Sequence, residues 1–184
     1  MNNPRETLLK NDRPQWYAMR FLYNDQPKIR TRLTQDGIRT YSPMRTVVEV
    51  RNGRRIRRVE PIIFDLFFVY GTRSQIDPYV MGSPNFQYRY KRGGKYREPM
   101  TVPEDQMNLF IEAVCMSSQP LYFTPDEIDV SRGTRIRIIG GPLDGYEGLF
   151  MKVKGARSRR LIVEIPDTIA VAVEIAPDFI EILK

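Results

Sequence analysis

The 184-residue chain contains no histidine, one cysteine and one tryptophan. Without histidine there is no His-based triad, no imidazole general base and no HExxH zinc site. A single cysteine, Cys115, excludes an internal disulfide, a Cys₄ or Cys₂His₂ metal site and a CxxC redox pair. Within the apolar-periodic stretch 107–115 it is expected to be a small core hydrophobe, which suits a reducing compartment. No apolar run approaches the ~20 residues that span a bilayer, and no membrane partner is expected. The opening MNNPRETLLKNDRPQ lacks the apolar core of a secretory signal. The expectation is a soluble, cytoplasmic protein.

What is abundant is positive charge: 29 Lys and Arg against 22 Asp and Glu. It is unevenly spread. Residues 14–117 carry 17 basic and 10 acidic side chains, whereas 118–184 carry 9 and 10. A basic segment followed by a neutral one implies two modules with different partners, the first of them polyanionic.

Residues 16–21, WYAMRF, read as a strand, and 27–37 as a helix with Pro27 in its first turn and Gly37 as its stop. Ile29 and Leu33 recur at helical spacing, which leaves Lys28, Arg30 and Arg32 on the solvent side. Segments 46–50 and 54–61 flank Asn52-Gly53, a strong signal for a tight hairpin. Its tip carries Arg51, Arg54, Arg55, Arg57 and Arg58, a basic finger. IIFDLFFVY (62–70) reads as a strand covered on both faces, and 73–81 as a short helix interrupted by Pro78. A second basic hairpin is expected over 86–92 and 95–100 around Gly93-Gly94. Thr101 to Glu104 reads as a capping box ahead of a helix burying Met107, Ile111, Val114 and Cys115.

Thus 14–117 is expected to be an α+β domain with helices on an antiparallel or mixed sheet, after a flexible N-terminus at 1–13. Residues 118–130 lose periodicity and read as a linker. From 131 to 184 the pattern is short strands only, expected at 135–139, 147–154, 159–165 and 169–175, which implies a small barrel.

Catalytic chemistry finds no support. Asp25, Glu49, Glu60 and Asp65 are the imaginable acid–base groups, but no pair shares an element with an activator, so an enzyme is not expected. The Gly-rich 140–145 lacks the GK[ST] ending of a phosphate loop. No cofactor is implied.

The composite is more telling. WYAMRF, the basic Asn-Gly hairpin, IIFDLFFV, the Gly-Gly hairpin and the amphipathic helix precede RIRIIGGPLDGYEGLFMKVKGARSRRLIVEI. In this order the chain resembles NusG-type transcription elongation and antitermination factors. Residues 1–117 are similar to their N-terminal domain, and the last ~50 to their KOW domain, a small five-stranded barrel. The run Ile138-Ile-Gly-Gly-Pro142-Leu-Asp-Gly145-Tyr-Glu-Gly148-Leu149 carries the KOW likeness, with Gly145 and Gly148 relaxing the backbone between two strands. In Pro61-Ile-Ile-Phe64-Asp65-Leu66-Phe67-Phe68-Val69 the family's usual Pro-Gly pair is replaced by Asp65-Leu66, which implies a specialised paralogue.

The resemblance implies a factor that binds RNA polymerase across the clamp, docking on the clamp helices of its largest subunit, and suppresses pausing or termination. By residue-wise carry-over, Phe64 and Phe67 would line the docking pocket, with Ala18 and Arg20 at its edge. Lys28, Arg30 and Arg32 would touch upstream or non-template DNA. The KOW domain would recruit a ribosomal protein or termination factor, the whole acting as a monomer. The alternative is a KOW-containing RNA- or ribosome-associated protein that binds no polymerase.

Overall fold

The computed structural model describes residues 12–22, 26–91 and 93–183. Most of the N-terminal segment 1–13, together with Asp25 and Arg92, lies outside the described residues. The described residues up to Pro103 form one compact unit and Glu104–Lys184 a second.

The first unit is built on a five-stranded antiparallel sheet. Strand β1 (Gln15–Phe21) lies at its centre, between β5 (Leu66–Gly71) on one side and β6 (Phe86–Tyr88) with β7 (Thr101–Val102) on the other. Strand β2 (Arg39–Tyr41) extends the sheet beyond β5. Alternate residues Tyr17, Met19 and Phe21 of β1 join Phe67 and Val69 of β5 in the core. Helix α1 (Gln26–Gln35) covers that face with Ile29 and Leu33, and α2 (Arg73–Met81) with Ile76. Helix α1 ends at Gly37, whose φ of 72° lets the Ile38 amide reach back to the Leu33 carbonyl at 2.9 Å. A capping box starts α2: Thr72 accepts from the Gln75 amide, and the Thr72 amide donates to Gln75 Oε1. Gln75 here takes the role expected of Glu104.

Two expectations for this unit are corrected. Residues 62–65 form a turn rather than the start of a strand, because the Ile62 amide bonds to Pro43 O and the Leu66 amide to Ile63 O. Among the described residues Thr101 caps no helix: the helix that follows begins at Glu104, which puts Thr101 two residues ahead of the cap position, and Thr101 pairs with Tyr17 in β7. The second basic hairpin is present in shortened form, its arms joined by backbone bonds from the Lys91 amide to Glu98 O at 3.0 Å and from the Met100 amide to Arg89 O at 2.7 Å. Between them Tyr90 and Pro99 form an antiparallel bridge, and Lys91 Nζ pairs with Glu98 at 2.9 Å.

Strands β3 (Met44–Arg51) and β4 (Arg54–Pro61) pair with each other and form a sheet of their own. Asn52 and Gly53 at the tip have φ of 51° and 72°, the left-handed values that a two-residue turn needs.

The second unit opens with α3 (Glu104–Met116), which packs on β11 (Arg159–Ile165) and β12 (Ile169–Val173). It buries Met107, Phe110 and Ala113. Cys115 is exposed, not core. At ~100° per residue it sits about 140° round the helix from Phe110, the middle of the buried stripe. The six-stranded antiparallel sheet runs β13 (Ile180–Ile182), β9 (Thr134–Ile138), β10 (Glu147–Lys152), β11, β12, β8 (Leu121–Phe123). Strand β8 arises inside the expected linker and pairs with β12. The unit thus draws on residues well before 131. Among the described residues β13 and β8 stand at the two ends of this strand order, and the sheet is the all-β part of the fold expected C-terminal to the α+β part.

Among the described residues, no helix is long and apolar enough to cross a membrane.

Candidate functional site

In the first unit, one end of the β1–β5–β6 sheet gathers charged groups beside an exposed aromatic. Arg20, opposite Gln87 in the β1–β6 register, donates from Nε and Nη2 to Gln87 Oε1 at 3.2 and 2.8 Å. Arg89 Nη2 donates to Asp65 Oδ1 at 2.7 Å, tying the 62–65 turn toward the loop after β6. Phe64, at the apex of that turn, is 61% exposed. An aromatic held outward by a hydrogen-bonded turn, with the Arg89 guanidinium bound to the next residue of that turn, is suited to docking a protein surface.

The four residues carried over for docking divide sharply. Phe64 and Arg20 are at the surface. Phe67, expected to line the pocket, and Ala18, expected at its edge, are both fully buried in this unit. Phe67 contacts the Phe21 ring edge-on at 5.2 Å in the face under the helices. Ala18 lies on the opposite face, paired with Phe68. The 62–65 turn separates Phe64 from Phe67, because the regular strand begins only at Leu66.

On α1, Lys28, Arg30 and Arg32 are all exposed. Relative to the buried Ile29 and Leu33, Lys28 and Arg32 lie on one flank and Arg30 on the other. Arg32 stands 5.7 Å from the Tyr79 ring centre. The helix therefore offers charge on both flanks, suited to phosphates on either side rather than to one bidentate contact.

Two of the carboxylates considered for catalysis, Glu60 and Asp65, serve ion pairs. Glu60 accepts from Arg58 at 2.7 Å and Arg45 at 2.8 Å, and these hydrogen bonds hold its pKa below the usual glutamate range. Asp65 is engaged by Arg89. Among the described residues, no group of three or more Cys, Asp or Glu side chains could hold a metal ion.

Sequence reasoning did not assign the valines of the β3–β4 hairpin. Val48, Val50 and Val59 are 60%, 67% and 61% exposed and share one face. The signal was available: a two-residue turn sets the register, and the register sets which side chains share a face.

The family model described as transcription termination factor NusG matches residues 14–111, more than half of the chain. The chain belongs to the NusG family and is a transcription factor of that type. Among solved structures, that of Thermotoga maritima NusG, concerned with domain interaction in that protein, is similar with a TM-score of 0.45 and 17% identity. The similarity covers 94% of this chain and 98% of that one. No curated protein matches the chain by sequence.

Proposed function

We propose that this protein is a non-enzymatic elongation and antitermination factor that binds RNA polymerase across the clamp and suppresses pausing or termination. Membership of the NusG family over residues 14–111 carries the reading. The exposed Phe64 on its hydrogen-bonded turn, with the exposed Arg20 on β1 of the same sheet, supplies the contact for the clamp helices of the largest subunit. Lys28, Arg30 and Arg32 meet upstream or non-template DNA through phosphates, a contact that adds affinity without reading sequence. The second unit acts as a KOW module, and its near-neutral charge suits a protein partner, a ribosomal protein or termination factor. The protein works in the cytoplasm as a monomer, without a cofactor.

Core polymerase with and without its clamp helices, captured on the immobilised protein, tests this. Retention that needs both the clamp helices and Phe64 supports the reading. Recovery of nuclease-sensitive ribosomal particles with no polymerase would replace it by an RNA- or ribosome-associated role.

A further inference from the structure

The β3–β4 hairpin is assigned no task by the reading above, yet it is the most basic element of the first unit. Each strand has eight residues, so the ribbon is about 26 Å long. A free two-stranded ribbon with exposed valines is not favourable in water by itself, which implies that something covers it.

The charge pattern indicates what. Near the base, Glu60 is shared by Arg45 and Arg58. Toward the tip, among the described residues, Arg51, Arg54, Arg55 and Arg57 have no carboxylate partner. The register puts Arg51 and Arg54 on one face, and Arg55 and Arg57 on the other beside Val48 and Val50. All four are exposed. A flat protein surface meets one face of a ribbon; a groove walled by anions meets both. The major groove of B-form DNA is ~12 Å wide, admits a two-stranded β-ribbon and has phosphates along both walls. The valines, which share a face with Arg55 and Arg57, would then lie against the sugars of that wall. The major groove of A-form RNA is too narrow for such an element.

We infer that the hairpin is a second DNA-binding element, entering the major groove of duplex DNA with Arg51 and Arg54 toward one phosphate wall and Arg55 and Arg57 toward the other. It is separate from the polymerase contact at Phe64 and from the basic helix α1.

The test uses the full chain and a duplex of about three helical turns, followed by fluorescence anisotropy between about 50 and 200 mM salt, with no polymerase present. Each phosphate contact contributes about 0.9 to the slope of log K against log salt. Replacing all four arginines by alanine should lower that slope by about 3.6. Equivalently, the unaltered protein should lose about 150-fold more affinity across the salt range than the variant. R51A/R54A and R55A/R57A should each remove about half. V48T/V50T/V59T should weaken binding and leave the slope unchanged. K28E/R30E/R32E should retain the hairpin-dependent part of the slope.

An unchanged slope in the fourfold variant overturns the proposal. So does a loss confined to one arginine pair, which would mean a one-faced contact, or equal binding to duplex RNA of the same sequence. Melting curves matching the unaltered protein keep the comparison sound, since these side chains lie outside both cores.

Discussion

Phe64→Ala and Phe67→Ala, three positions apart, should fail in opposite ways. Phe67 is fully buried and touches Phe21, so its truncation leaves a cavity in the face under α1 and α2. Such a change costs about 3–5 kcal/mol of folding stability. At about 4–8 °C per kcal/mol for a unit of this size, melting should fall by at least about 12 °C. Phe64 is 61% exposed. With about 200 Å² for a phenylalanine side chain, about 80 Å² is already covered, and its loss should cost about 1 kcal/mol once the area retained by Ala is allowed for. The remaining 120 Å² or so is what a partner could bury, worth about 3 kcal/mol at ~25 cal/mol per Å². Polymerase affinity should therefore fall at least about 30-fold, the loss that ~2 kcal/mol of hot-spot energy represents. Paired melting and titration against core polymerase read both quantities. A folded Phe64→Ala protein that binds polymerase as before would refute the docking surface. A Phe67→Ala protein with unaltered melting would refute the packing argument.

Reversing charge at Lys28, Arg30 and Arg32 should weaken binding to a transcription bubble in a salt-dependent way while leaving isolated clamp helices bound; equal losses in both assays would make α1 part of the polymerase contact instead. Gly148→Ala should cost about 1–3 kcal/mol, because a Cβ there would stand 2.7 Å from the Tyr146 ring and 2.9 Å from Leu161 Cδ1; an unchanged denaturation midpoint would show that the ring yields freely. A fragment spanning 104–184 should melt cooperatively, whereas 131–184, which lacks α3 and β8, should melt lower or without a cooperative transition; equal melting would mean that the helix and strand add nothing.

The elements legible in the sequence were those whose geometry is decided within a few residues. Asn52-Gly53 takes up left-handed backbone almost unaided, so the hairpin and its basic tip followed directly. Gly37 ends α1 for the same local reason, and the spacing of Ile29 and Leu33 placed its basic residues outward. Gly145 behaves likewise at φ 77°, but Gly148 does not: it is glycine because Tyr146 and Leu161 close over it, a fact of packing. Packing also decided the docking residues. Apolar character alone could not separate Phe64 from Phe67, because the turn that exposes one and buries the other depends on a bond from Ile62 to Pro43, nineteen residues away. Thr101 had the chemistry of a cap, yet the edge of β1 claimed its backbone. Helix α3 shows the limit most plainly. Its amphipathic spacing was visible in the chain, but which of its flanks is buried depends on β11 and β12, more than forty residues further on, and that contact leaves Cys115 in solvent. Backbone preference is a local property and survives in a one-dimensional reading; burial is a relation between distant segments and exists only once they have met.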